Sequence, residues 1–271
     1  MTPTLQTILQ QLKENRTEEA RASILRFLEV DSAAARQNAI TLAHLLTLCA
    51  GWGAISSLLP QGCNGLASSG WLNSLLQGMP VDALGGPVPW FTYPAIDFLD
   101  RVDTKDFTVF EWGGGNSTLW WAKRVRSVRA VDHDTKWYEI VRKGMPANAK
   151  IELQTARDAY VAAITAGAET FDIIVIDGQH RNECVEAALA CIKPDGLIVL
   201  DNSDRRAYVL GIQRLMAEGF RRIDFFGFIP SYLYRSCTSV FFKHDRYLQT
   251  APLPSEVSSS LGATCAQVLH E

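Results

Sequence analysis

The feature that most limits the fold is a change of pattern near residue 107. From there, short apolar runs alternate with amphipathic, helix-like segments. The runs are "FTVFEW" (107–112), "SVRAVD" (127–132), "KIELQT" (150–155), "DIIVID" (172–177) and "GLIVLD" (196–201), separated by stretches such as "STLWWAKRV", "TKWYEIVRKG" and "NECVEAALACI". This alternation predicts repeated βαβ units and a mostly parallel sheet. The runs are mostly apolar, as strands are when helices cover both faces. After a further helix ("RAYVLGIQRLMAEG") come "RRIDFFGF" and "CTSVFFK". The loop between them is too short for a crossover helix, so they are predicted to pair antiparallel at one edge.

The rest of the chain is organised differently. Leu5, Ile8, Leu9 and Leu12 recur at helical spacing. Thr17 followed by Glu18 and Glu19 marks a second helix start, with Ile24, Leu25 and Leu28 expected inward. Asp31 or Ser32 is expected to cap a third helix reaching about Cys49. From Gln37 to Val81 there is no Asp, Glu, Lys or Arg. Part of that region is about as long as a membrane span, but Thr41, His44, Thr47, Gly51, Gly53, Ser56 and Ser57 interrupt it and no basic flank follows. A buried helix, a subunit interface or a lid over an apolar pocket is the reading. The expected division is a helical extension (1–83), an α/β domain (84–246) and a Pro/Ser-rich tail (247–271).

Charge and cysteines narrow the setting. The formal net charge is −3, which gives no general attraction to nucleic acid or anionic membrane. The six cysteines form no C-x-x-C pair and read as buried thiols of a reducing cytoplasm. The N-terminus lacks a basic region followed by an apolar core, so no signal peptide is read there.

The first strand ends in "EWGGGNST", residues 111–118. Ligands of open parallel sheets sit beyond the carboxyl ends of the strands, so this turn is a candidate site. It is not a P-loop, because G-x-x-x-x-G-K-[ST] is absent. A dinucleotide fingerprint would place a third glycine at 118, where Thr118 stands. Glu111, ahead of the glycines, would repel a pyrophosphate and suits a cationic ammonium group.

An acid, one residue and then G-x-G at the end of the first strand resembles the class I S-adenosylmethionine (SAM)-dependent methyltransferases. The resemblance covers roughly residues 85–245 and implies a Rossmann-like, doubly wound, mostly parallel seven-stranded α/β sheet with an antiparallel last strand. It implies that Glu111, Gly113, Gly114, Gly115, Asn116 and Ser117 line the cofactor, with the glycines giving clearance for its methionine end. Asp132, about 20 residues on, would hold the ribose hydroxyls, with Asp134 the lesser candidate. His133 beside it is a possible cofactor contact, and Asp158 after the third strand would lie near the adenine.

The tips of the fourth and fifth strands carry Asp177, then Asp201 with Asn202. Three oxygen donors at one edge suit a hard cation such as Mg²⁺. This resembles the metal-dependent O-methyltransferases of the catechol, caffeoyl-coenzyme A and macrolide-sugar type. The same resemblance implies a general base three residues after the strand-four Asp, here His180, and histidine accepts protons near neutral pH. Trp90 and Tyr93, with Phe91, are candidate pocket walls just upstream of the first strand, or else they pack the helical layer on the sheet.

The expected function is therefore transfer of a methyl group to a hydroxyl of a small molecule or sugar, assisted by a metal and by His180. The expected cofactors are SAM and Mg²⁺. A homo-oligomer through the uncharged N-terminal region is a possible assembly. The rivals are a metal-independent N- or O-methyltransferase, an idle methyltransferase fold that binds partners through 37–81, and, weakest, an NAD-dependent dehydrogenase.

Overall fold

The computed structural model describes residues 4–14, 16–29 and 69–245. The expected third helix up to Cys49, most of the uncharged region, His44, His270 and the C-terminal tail lie outside the described residues. The described chain divides into two compact units. One holds the residues up to Gly86 with Pro230–Tyr234, and the other holds Pro87–Ile229 with Arg235 onward.

In the first unit, α1 (Leu5–Lys13) is capped by Thr4, whose hydroxyl accepts from the Thr7 N–H. Helix α2 (Thr17–Glu29) begins where the acids predict, with Glu18 and Glu19 in its first turn. Ile8 and Leu12 of α1 and Ala20 and Ile24 of α2 are buried. Leu25 was expected inward but is 46% exposed. Ala20, Ser23 and Ile24 form the i, i+3, i+4 stripe, and Leu25 sits one residue round the helix from it. The side chains of Leu5, Leu9 and Leu28 lie outside the described set. A short helix, α3 (Trp71–Gln77), runs between left-handed Gly70 and Gly78.

The second unit is the α/β body. Its elements are α4 (Tyr93–Asp100), β1 (Thr108–Trp112), α5 (Asn116–Ala122), β2 (Ser127–Asp132), α6 (Thr135–Val141), β3 (Ala149–Leu153), α7 (Arg157–Ala162), β4 (Phe171–Ile176), α8 (Arg181–Cys191), β5 (Ile192–Asp201), α9 (Val209–Ala217), β6 (Arg221–Ile229) and β7 (Tyr232–Phe242). The seven strands form one sheet in the order β3-β2-β1-β4-β5-β7-β6. Strands β1 to β5 pair in parallel and β7 runs antiparallel to β5, as expected. Strand β5 is longer than "GLIVLD", beginning at Ile192 with a register shift against β4.

Period-two alternation sorts the strands' side chains. Phe110, Trp112, Ile174, Ile176, Ile198 and Leu200 join Cys184, Val185 and Ala188 of α8 and Leu215 of α9 in one buried cluster. Trp112 and Trp121 are fully buried and Trp120 nearly so, which makes all three core residues. Register then fixes the site. Glu111 pairs with Val175, Ile176 pairs with Leu200, and Asp201 pairs with Thr238. The residues just past those pairs, Asp177 and Asp201, therefore end neighbouring strands level with each other and on the face that Glu111 occupies.

Candidate active site

The turn after β1 is shaped by its own surroundings. Gly113 has φ +90°, and a Cβ there would lie 2.8 Å from the Gly178 nitrogen. A Cβ on Gly114 would meet Ile151 at 2.7 Å, and one on Gly115 would meet the Trp137 indole at 3.2 Å. The clearance at all three glycines is taken up by the protein itself, which refines the expectation that it serves a ligand. Trp137 donates its indole N–H to the Gly114 carbonyl at 2.8 Å, so α6 braces the turn. Gly178 matters similarly: a Cβ there would sit 1.7 Å from the Tyr160 hydroxyl oxygen.

Glu111 is fully buried. Its Oε2 accepts from the Thr118 hydroxyl, while Oε1 has no partner in hydrogen-bond geometry. Burial pushes its pKa up to about 7, offset in part by the Ser117 and Thr118 hydroxyls and reinforced by Asp132. Thr118 also accepts from the Gly115 N–H at 3.0 Å. In sequence it looked only like a missing glycine; in the fold it ties the acid to the turn. Asn116 and Ser117 open α5 as buried residues.

At the β2 tip the choice between two acids is settled by their partners. Asp134 caps α6, accepting from the Trp137 N–H at 2.8 Å. Asp132 is 4% exposed, accepts from the Asp134 N–H, and is pushed up in pKa by burial. Asp132 is thus the acid that is buried and takes no part in capping α6. His133 places Nε2 2.7 Å from Gln179 Nε2, a bridge between the tips of β2 and β4. With the amide donating, the imidazole proton sits on Nδ1, which faces Asp132 at 3.6 Å. Asp158 is exposed in the first turn of α7 and is not brought to the buried acids.

The β4 and β5 tips do come together. Asp201 is 2% exposed, and its Oδ1 accepts from the Thr238 hydroxyl at 2.6 Å. Burial and then the Asp201 carboxylate push Asp177 well above the ordinary carboxylate range, and Arg181 pulls it down. Arg181 is the residue the sequence reading missed. Its Nε donates to the Gly178 carbonyl (2.8 Å), Nη2 to the Asp177 carbonyl (2.6 Å) and carboxylate (3.1 Å), and Nη1 to the Asp201 carbonyl. The side chain is only 6% exposed and its guanidinium lies 4.9 Å from the Tyr208 ring centre. The only signal in sequence was an arginine four residues after an aspartate, which is commonplace on helix surfaces.

Asn202 adopts φ +50° and turns its amide to the Ser236 hydroxyl at 3.2 Å. The expected trio fits a divalent cation poorly. A hard cation is held by ionised carboxylate oxygens, and a buried guanidinium already donates to the Asp177 carboxylate. Among the described residues, no group of three His, Cys, Asp or Glu side chains is placed to hold a metal.

His180 stands at the N-cap of α8 with φ +52° and makes no side-chain cap bond. A non-glycine residue held in that region costs about 1–3 kcal/mol and such residues cluster at functional sites. Its ring meets the Tyr160 ring edge-on at 6.3 Å. Upstream, the Thr92 N–H donates to Thr238 Oγ1 at 3.0 Å, the hydroxyl that serves Asp201. That chain of bonds brings segment 90–93 to the β5 tip. Trp90 and Tyr93 are half-buried there, whereas Phe91 is fully buried core.

Residues 110–203 match the family model described as a methyltransferase domain. The match runs from within β1 to just past the tip of β5. The chain resembles several solved structures at low identity. One is precorrin-6Y C5,15-methyltransferase from Geobacter metallireducens GS-15, at 13% identity over 56% of this chain and 87% of that one, TM-score 0.45. Another is spermidine synthase from Thermotoga maritima, at 17% identity over 65% and 73%, TM-score 0.43. A third is a methyltransferase from Pyrococcus furiosus, at 18% identity over 54% and 79%, TM-score 0.41. No curated protein matches the sequence. No described helix is long and apolar enough to cross a membrane.

Proposed function

We propose that the chain is a SAM-dependent methyltransferase acting on a hydroxyl oxygen of a small molecule or sugar, with His180 as the base. The observation that carries the donor half is Glu111, a wholly buried carboxylate with one oxygen unpartnered, immediately ahead of the glycine turn. Such a group resists ionisation until a cation is brought to it, and an amino-acid ammonium is that cation. When bound, SAM supplies an electrophilic sulfonium methyl group. Glu111 receives the ammonium, Asp132 the ribose hydroxyls and His133 the neighbouring edge, with Asn116 and Ser117 along the turn and Asp158 toward the adenine.

On the acceptor side, His180 takes the hydroxyl proton, and Trp90 and Tyr93 wall the pocket and exclude water. The protein's main contribution is to hold acceptor and donor in line. Divalent-cation assistance at Asp177, Asp201 and Asn202 is the second reading, favoured only by the convergence of the two aspartates. A cytoplasmic setting is supported by the free thiols of Cys184, Cys191 and Cys237, and self-association through the uncharged N-terminal region belongs to the same proposal.

The direct test is calorimetry of the full chain with S-adenosylhomocysteine (SAH). Binding is expected, with loss of at least tenfold in Glu111→Gln; a chain that binds neither SAH nor SAM would sink the donor assignment. Release of SAH is then followed over a panel of sugar diols and catechols, with and without chelator. His180→Asn tolerates the left-handed backbone. It should leave SAH binding intact and lower turnover by about 10²–10⁴-fold.

A further inference from the structure

We infer that Arg181 is the resident cation of the acceptor site, a positioning residue standing where the metal-dependent relatives implied by the sequence would hold a divalent ion. Four donor contacts of one guanidinium knit the tips of β4 and β5. They comprise three backbone carbonyls, of Asp177, Gly178 and Asp201, and the Asp177 carboxylate. Carbonyls at a parallel strand end have no further ladder partner. Arg181 satisfies three of them and places a fixed positive charge against the half-buried Asp177 carboxylate and beside the buried Asp201. The planar fork makes this possible: five N–H donors in one plane reach two strands at once, which a lysine ammonium cannot do. Tyr208 closes the outer side of the guanidinium.

The consequence is specific to this chain. The two aspartates are not vacant ligands awaiting a metal; their counter-charge is covalently attached, one helical turn away. Removing it should expose a cation site that the parent protein does not offer. The inference rests on reading this edge as the acceptor side of a methyltransferase site, but its test does not require the acceptor to be known.

The experiment is a titration of the full chain with Mn²⁺, followed by electron paramagnetic resonance of the free ion, in four proteins: the parent, Arg181→Met, Arg181→Lys, and Arg181→Met combined with Asp201→Asn. Arg181→Met should bind Mn²⁺ at least tenfold more tightly than the parent, and the added Asp201→Asn should abolish that gain. Arg181→Lys, which keeps the charge, should stay near the parent. Parent protein that binds Mn²⁺ as tightly as Arg181→Met would overturn the inference, as would an Arg181→Met that gains nothing. If Arg181→Met does not fold, the parent decides. Mn²⁺ binding by the parent that Asp177→Asn removes overturns the inference, and no such binding upholds it. SAH calorimetry on the same proteins keeps the two proposals separate: failure of the parent to bind SAH counts against the donor assignment and leaves the Mn²⁺ comparison standing.

Discussion

Asp172 and Asp177 lie at opposite ends of the same strand and meet opposite conditions. At the amino end, Asp172 Oδ2 accepts from the Thr108 N–H (2.8 Å), the Thr108 hydroxyl (3.0 Å) and the Lys193 ammonium (2.8 Å). Burial works to raise its pKa, but Lys193 and Thr108 outweigh it and the group is lowered. Nearby, Arg129 pairs with Glu169 at 2.9 Å. At the carboxyl end, Glu111, Asp132, Asp177 and Asp201 are all pushed up, and burial is the leading cause for each. One sheet thus fully pairs its carboxylate at the amino edge, whereas at the carboxyl edge Arg181 serves Asp177 and the Glu111 Oε1 is left without a partner. Perturbed carboxyls in a cluster support the functional edge proposed above. A cavity alone does not: a cleft of about 460 Å³ opens at the amino edge, beside Arg129, Glu169 and Lys193, and these groups are already paired with each other or with Asp172.

Substitutions at the two edges test this contrast. The largest effect is expected at Gly113, where φ is +90° and a Cβ would overlap the backbone of Gly178. Gly113→Val should cost about 3–5 kcal/mol of stability, from the left-handed backbone and the clash together, and abolish SAH binding. Thermal unfolding and calorimetry check both. A variant as stable as the parent would show that the turn is looser than its packing implies.

Glu111→Gln should move stability and function in opposite directions. A carboxyl whose folded-state pKa lies above its unfolded value favours folding below the unfolded pKa, and that contribution is lost as pH rises through the folded pKa. For Glu111 the window runs from about 4.5 to about 7. Above it, the ligand-free parent carries a penalty of about 3 kcal/mol at 1.36 kcal/mol per unit, which the amide does not. Glu111→Gln should therefore be the more stable protein at pH 8 by up to that amount, with the difference closing toward pH 4.5, while its SAH affinity falls. Denaturant unfolding at a series of pH values reads the sign.

Gly178→Ala places its Cβ 1.7 Å from the Tyr160 hydroxyl oxygen and 3.0 Å from the ring carbon that bears it. The cost should be about 1–3 kcal/mol, and Tyr160→Phe should recover part of it. A double-mutant cycle with no coupling between the two sites would argue that the clash is relieved by movement elsewhere.

The strands, their parallel character and the acids at their tips were legible because each depends on local pattern: apolar runs of five or six residues, with an acid at or just past the end. What the sequence hid are the partnerships. Thr118, Thr238 and Arg181 lie seven, thirty-seven and four residues from the acids they serve, and only strand register brings Thr238 opposite Asp201. The glycine turn shows the same limit. Its need for small residues was plain, but whether a ligand or the protein fills the space depends on Gly178, Ile151 and Trp137, three distant positions. Leu25 faced outward because an equally good buried stripe, Ala20, Ser23 and Ile24, competed with it.

The smallest effect is expected from Asp172→Asn, and it is the sharpest control because its sign is opposite. Asp172 is lowered in pKa, so its contribution to stability is present above its unfolded value near 3.8 and is lost as pH falls through the folded one. The amide keeps some hydrogen-bonding capacity toward Thr108 but loses the Lys193 charge, so the cost at pH 7 should be about 1 kcal/mol. It should shrink only below about pH 3.8, after the advantage of Glu111→Gln has already closed between about 7 and 4.5. Measured side by side, the amide at the amino edge lowers stability at neutral pH and the amide at the carboxyl edge raises it. If both substitutions shifted stability in the same direction, the difference between the two edges would reflect burial alone, and the claim that the carboxyl edge holds charge in reserve for a ligand would lose its physical basis.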